Sequence, residues 1–293
     1  MKINTLIDFL RVRQWVKNLF IISALIFSGR FNELNLWGHC VWTMVGFCLL
    51  SSGMYIINDI RDLKEDRLHP KKATRPLASG KIQVSVAGWI AAGLLILGIL
   101  ICRGQGEEVL ILGLSYVLLH IVYNLRTKHI VLLDVLTVAL GFQIRIWAGA
   151  EAIHVTPSAW LQICMFVLAL FLGFTKRRCE IVNLEKNATL HRSVLSHYTE
   201  YFLDQMIVIC SSLSIVLYGL YTVSSEVTER IHGYAMFYSI GFVVYGIFRY
   251  LYLMHIKKMG DDPSEALLTD KPMMVNLLLW ILFIVTIIHL SHS

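Results

Sequence analysis

Apolar residues in this chain come in runs long enough to cross a bilayer, and each run ends in a short charged break. Those breaks predict about nine transmembrane helices, near 16–33, 37–57, 83–102, 108–124, 130–150, 158–174, 204–223, 234–254 and 273–290. No low-complexity linker interrupts the series. The pattern therefore predicts an all-α, polytopic membrane protein with a single integral membrane domain over 1–293.

Composition agrees: 56% of the 293 residues are hydrophobic and 16% charged, and the mean hydropathy is +0.64, outside the range of soluble domains. The first run lacks a small-residue cleavage signature, so the N-terminus is expected to be retained. Of the 26 Lys and Arg, 21 fall in the N-terminus and the loops 58–82, 125–129, 175–203 and 255–272. Only Arg30, Arg103 and Arg230 fall on the other side. This positive-inside bias puts the N-terminus and the large charged loops in the cytoplasm of a cytoplasmic (inner) membrane. Arg145 and Arg249 lie within predicted spans, where a charge points to a polar cavity or an ion pair.

The net charge of +6 is explained by topology and anionic headgroups, and no pattern of nucleic-acid recognition accompanies it. The six Cys form no CxxC pair and the 11 His no HExxH spacing. No Gly-rich phosphate loop of the GxxxxGK(S/T) or GxGxxG type is present, so a nucleotide-dependent pump or a dinucleotide enzyme has little support. Any phosphate chemistry must use other groups.

Those groups sit at the ends of the apolar runs. Between Asn58 and Lys81, Asn58, Asp62 and Asp66 recur every four residues, with Asp59 close by, so a continuous helix would put them on one face. Seven Lys and Arg lie between Arg61 and Lys81, Arg75 among them. Oxygen ligands beside cations suit Mg²⁺ and a polyphosphate together. The plainer alternative is a solvated helix end with pairs such as Arg61–Glu65.

Three further polar blocks follow the same rule. Tyr123 to His129 contains Arg126 and Lys128 and leads to Asp134, a carboxylate a turn into the next span. Lys176, Arg177 and Arg178 precede Glu180, with Arg192, Ser193 and Tyr198 downstream. They read either as inside anchors or as phosphate ligands. Near the N-terminus, Arg11 to Asn18 reads as an interfacial anchor or, through Lys17 and Asn18, as the mouth of a polar site.

The block Asn58, Asp59, Asp62, Asp66 resembles the first motif of the UbiA-type intramembrane prenyltransferase superfamily. Members form nine-helix bundles with a cytoplasm-facing polar cavity. They carry a second Asp-rich motif after the sixth span, where this chain has Lys176 to Glu180. With the blocks at 13–18, 123–129, 133–135, 141–150, 191–201 and 262–272, the chain is similar to one branch, the polyprenyl-phosphate phosphoribosyltransferases.

That resemblance implies transfer of 5-phosphoribosyl from phosphoribosyl pyrophosphate (PRPP) to a decaprenyl-like polyprenyl phosphate. The expected partners are therefore PRPP, the polyprenyl phosphate and the membrane, with no nucleic acid; a homo-oligomer is left open. It implies that Asn58, Asp59, Asp62 and Asp66 hold Mg²⁺. It also implies that Lys17, Arg75, Lys128, Lys176, Arg177 and Arg178 bind phosphate, and that Tyr123, Asp134, Arg145, Glu180 and Tyr198 orient these groups or contact ribose. The product would feed lipid-linked sugar and cell-envelope polysaccharide synthesis. Two alternatives stand beside it: a prenyltransferase acting on an aromatic acceptor, which would want aspartates at 176–180, and a transporter using Asp134, Arg145 and Arg249 as a charge path.

Overall fold

The computed structural model describes residues 3–68, 72–184, 193–257 and 269–291; residues 191–192 and 262–268 of the blocks above lie outside them. All regular elements among the described residues are helical. They divide into two compact units, one within Met1–Thr156 and Asn187–His197, the other within Pro157–Lys186 and Tyr198–Ser293.

The first unit contains α1 (Ile3–Phe9), a 3-10 segment (Val12–Leu19), α2 (Phe20–Phe27), α3 (Leu34–Arg61), α4 (Leu63–Leu68), α5 (Val84–Gln105), α6 (Glu107–Leu125) and α7 (Leu133–Ala152). Helices α3 and α7 form its centre, each 61% buried over its apolar window, against 17% for α5 and 22% for α6. At 28 residues α3 is about 42 Å long, whereas the hydrocarbon core is about 30 Å thick. Its polar end at Asn58–Arg61 thus has room to stand clear of the apolar layer.

The expected first span at 16–33 is not one helix. Its start belongs to the 3-10 segment, and α2 is only eight residues long. The cause is side-chain chemistry. Trp15 Nε1 donates to Ser52 Oγ at 3.0 Å, and Asn18 Nδ2 donates to Cys48 Sγ at 3.1 Å and Ser51 Oγ at 3.4 Å. Ser52 Oγ in turn donates to the Leu10 carbonyl at 2.7 Å. These bonds strap the segment to α3 in a register an α-helix would not keep, and eight residues cannot cross a bilayer.

Helix α2 lies hard against α7 at Gly149, where an added Cβ would come within 1.9 Å of the Ile21 carbonyl oxygen. Small residues flank it on both sides: Ala148 and Ala152 are buried in a cluster with Ile21, and Ala150 in one with Ala24 and Leu25.

The second unit contains α8 (Ala159–Leu184), α9 (Glu200–Thr222), α10 (Ser225–Arg230), α11 (Ile240–His255) and α12 (Lys271–Ser291). Helix α8 packs on α9, and α11 packs on both α9 and α12. Tyr218 Oη, 2.7 Å from Ser239 Oγ and accepting from Trp280 Nε1 at 3.1 Å, links α9, the 3-10 segment Ala235–Ser239 and α12. Across both units, eight helices among the described residues are long and apolar enough to span a membrane, in place of the nine expected. This is an integral membrane protein.

Candidate active site

The acidic block begins on α3 and changes course at Asp62. There the backbone leaves helical geometry (φ −88°, ψ 15°) before α4 starts at Leu63. The spacing of four survives in the main chain, where Asp62 N–H donates to the Asn58 carbonyl at 2.9 Å and Asp66 N–H to the Asp62 carbonyl at 2.8 Å. The side chains do not share one face, because the bend turns Asp66 towards Asp59 and leaves Asp62 on another side. Asp59 is 7% exposed and Asp66 3%.

Burying carboxylates is costly unless cations meet them. The loop after α4 supplies one. Leu77 and Ile82 anchor that loop in a core with Phe9, Ile56, Ala87 and Ala91, and Gly80, at φ +76°, makes the turn that returns it to α5. Arg75, carried on this loop, places a single nitrogen, Nη1, 2.6 Å from Asp66 Oδ2 and 3.1 Å from Asp59 Oδ1. Burial, then the nearby Arg11 charge, lowers the Arg75 guanidinium from its ordinary value, and Asp59 and Asp66 work against that.

Arg11 also bonds Asp59 Oδ1 and lies over the Tyr55 ring at 4.9 Å. It adopts a left-handed backbone (φ 51°), a strained conformation held at the junction of α1 and the 3-10 segment. Lys128, on a 3-10 turn between α6 and α7, is buried and donates to Asp62 Oδ1 at 2.6 Å. Lys72 Nζ stands 3.9 Å from Asp66 Oδ1. Three carboxylates and four cations are therefore interleaved at one end of the first unit.

No three acidic, His or Cys side chains among the described residues are close enough to hold a metal by themselves. Asp59 and Asp66 nevertheless converge on one cationic nitrogen, so their oxygens already surround a positive charge. Two carboxylates completed by phosphate oxygens and water are a donor set that fits Mg²⁺, which rarely uses all-protein cages.

Arg145 is elsewhere in the same unit, inside a buried network. Its Nε donates to Asn18 Oδ1 at 2.7 Å, Nη1 to the Gly141 carbonyl at 2.8 Å and Nη2 to Tyr116 Oη at 2.8 Å. The guanidinium also lies 4.7 Å from the Tyr116 ring centroid. All three of its nitrogens are engaged within the protein. Lys17 is half-buried beside Asn18, and Asn58 and Tyr123 are half-buried; Asp134 is fully buried in the first turn of α7, where the helix dipole favours a carboxylate. The segment Ser193–His197 packs on the turn that carries Lys128, so part of the 191–201 block joins this unit.

The remaining candidates belong to the second unit. Arg177 is buried and donates to Glu180 Oε2 at 2.5 Å along α8. Arg178 Nε donates to Asp204 Oδ1 at 2.5 Å, with Glu200 at 3.6 Å, and so ties α8 to α9. Lys176 is half-buried, and Tyr198 is buried and stacks on Phe202 at 6.0 Å. Arg249 forms a bidentate pair with Asp270 at 3.1 and 2.8 Å. Asp270 also accepts from Met273 N–H at 2.9 Å, capping α12. The bond from Arg249, foremost, holds the Asp270 carboxyl below its ordinary value.

Asp59, Asp62, Asp66, Arg75 and Lys128 are thus brought together, whereas Arg145 is sequestered with Asn18 and Tyr116. Asn18, read from sequence with Lys17 as the mouth of a polar site, is instead buried as a partner of Arg145, while Tyr116 is missed and Arg11 is read only as part of the Arg11–Asn18 block. Arg11 meets Asp59 across 48 positions of chain, a contact with no local signal.

Residues 19–268 match the sequence profile of the UbiA prenyltransferase family. A decaprenyl-phosphate phosphoribosyltransferase of Mycolicibacterium smegmatis is 28% identical over 288 residues, spanning 95% of this chain and 91% of that protein. One of Corynebacterium glutamicum is also 28% identical, spanning 97% and 87%. The fold is that of a UbiA homolog from Archaeoglobus fulgidus solved with GPP and Mg²⁺, with a TM-score of 0.72 at 19% identity over 97% of this chain and 99% of that one.

Proposed function

Since the chain belongs to the UbiA prenyltransferase family, we propose that it is the phosphoribosyl-transferring kind of member, moving 5-phosphoribosyl from PRPP to a polyprenyl phosphate and releasing pyrophosphate. The observation that carries this reading is the interleaved cluster of Asp59, Asp62 and Asp66 with Arg11, Arg75 and Lys128, a surface for a metal-bound diphosphate. Support for the branch comes from the two bacterial relatives named for that activity. The cationic run at 176–178, where a second aspartate motif is expected of a prenyl-diphosphate enzyme, points the same way.

In this reading Asp59 and Asp66 would hold Mg²⁺, with Asn58 and, across the bend, Asp62 lining the same end of the unit. When bound, the ion offsets the charge that develops on departing pyrophosphate. Arg75 and Lys128 neutralise phosphate oxygens of the donor, and Lys17 extends that surface along the 3-10 segment. The lipid phosphate oxygen attacks ribose C1 from the face opposite pyrophosphate. One C1–O bond forms as the other breaks, so an α donor gives a β product. An ionised phosphate is already nucleophilic, so no side chain need act as general base.

The site faces the cytoplasm, where the positive-inside bias puts this end of the chain and where a water-soluble donor is available. The polyprenyl tail stays in the bilayer. Pyrophosphate release from purified protein tests the assignment: it is expected with PRPP plus polyprenyl phosphate. Release only with a prenyl diphosphate plus an aromatic acceptor would overturn it.

A further inference from the structure

We infer that Arg75 is a resident counter-cation, occupying the gap between Asp59 and Asp66 until a divalent ion takes its place, and then turning its guanidinium to the phosphate that arrives with the ion. This rests on the reading of the acidic end as a metal–diphosphate site and adds an order of events to it.

The geometry is specific. One Arg75 nitrogen bonds both carboxylates, and Asp59 Oδ1 is shared between Arg75 and Arg11. With Lys128 on Asp62 and Lys72 near Asp66, every acidic group that would hold a metal already has a cation. A divalent ion and a guanidinium nitrogen cannot both sit between the same two oxygens, since they would repel at close range. An ion that binds between Asp59 Oδ1 and Asp66 Oδ2 therefore displaces Arg75 Nη1.

Displacement requires little rearrangement. The loop is fixed by Leu77 and Ile82 beneath it, while the Arg75 side chain is about a quarter exposed and can swing about its own torsions. Its planar fork is suited to phosphate oxygens, and the phosphate gives it a partner to replace the carboxylates it leaves. Ion and diphosphate then assist each other's binding. Without a diphosphate, the ion must expel a cation that then has no arriving phosphate to pair with.

The exchange predicts opposite effects of one substitution on two ligands. In the full chain, purified in nanodiscs, Arg75→Gln should bind Mn²⁺ alone about tenfold more tightly than wild type, as expected when a competing charge is removed. The readout is Mn²⁺ electron paramagnetic resonance. The same variant should bind inorganic pyrophosphate more weakly at saturating Mn²⁺, measured by calorimetry. Unchanged or weaker Mn²⁺ binding would overturn the exchange.

If Arg75→Gln does not fold, Arg75→Lys is read in the same way. A single ammonium bridges two carboxylates less well, so Mn²⁺ should again bind more tightly, by a smaller factor, and no tightening overturns the inference. Neither readout involves turnover: opposite shifts in Mn²⁺ and pyrophosphate binding, in a protein inactive with PRPP, would uphold the exchange and reject the phosphoribosyl assignment.

Discussion

Replacing Gly149 by Ala puts one methyl group at the closest approach of α2 and α7. The added Cβ would lie 1.9 Å from the Ile21 carbonyl oxygen, 2.7 Å from its carbon and 2.9 Å from its Cα. Ordinary contact begins at 3.4 Å, so the helices must part by about 1.5 Å, the difference between 3.4 and 1.9 Å. The obstacle is backbone, which cannot rotate away. Asn18 enters the same region on the preceding segment, and its 2.7 Å bond from Arg145 would not survive that separation. Overpacking costs about 1–3 kcal/mol, and losing a hydrogen bond to a charged group adds about 1.5–3 kcal/mol. The sum, roughly 2.5–6 kcal/mol, should lower Tm by at least about 5 °C. Scanning fluorimetry of the purified protein measures it. Gly93 on α5, where an added Cβ meets nothing within 4 Å, is the control; Gly93→Ala should be neutral or gain up to about 1 kcal/mol from helix propensity. If the two alanine variants melt together, the close α2–α7 packing and its link to Arg145 are refuted.

Asp62→Ala should abolish turnover while the protein remains inserted and folded; wild-type activity at saturating Mg²⁺ would remove the acidic block from the chemistry. Neutralising Lys176, Arg177 and Arg178 together should raise the KM for a phosphate-bearing substrate, and if KM stays constant for both substrates these residues serve packing and topology, as the Arg178–Asp204 pair already does. Asp270→Asn keeps an oxygen to cap α12 but loses the charge that pairs with Arg249, and should lower Tm slightly. The pH dependence has a definite sign: because Arg249 depresses the folded-state value of Asp270, its contribution is full above the unfolded carboxyl pKa of about 3.9 and is lost as pH falls through the lower folded value. A Tm difference between wild type and Asp270→Asn that widens at low pH would contradict it.

The sequence exposes what is local and hides what is long-range. Apolar runs are contiguous, so seven expected spans correspond to long helices, and the eighth, 234–254, to a 3-10 turn followed by α11. The run at 16–33 misleads because hydropathy counts Val16 and Ile21 but not the bonds from Trp15 and Asn18 to Ser52, Cys48 and Ser51 beside a 3-10 segment. The spacing of Asn58, Asp62 and Asp66 correctly marks a recurring backbone bond. It does not reveal the bend at Asp62, which pairs Asp59 with Asp66 and sends Asp62 to Lys128. Arg145 and Arg249 read from sequence as two intramembrane charges of one kind. Their partners separate them, since Arg145 is held by Asn18 and Tyr116 and Arg249 by the cap of α12. Of the three residues of the charge-path alternative, Asp134, Arg145 and Arg249, both arginines are thus paired within their own units.

The lipid product itself decides whether the polyprenyl chain is acceptor or donor. Purified protein incubated with Mg²⁺, PRPP and a series of polyprenyl phosphates, followed by mass spectrometry of the extracted lipids, should yield a polyprenyl phosphate enlarged by the mass of one phosphoribosyl group. Unmodified polyprenyl phosphate in that reaction, together with a prenylated aromatic product from prenyl diphosphate, would contradict it.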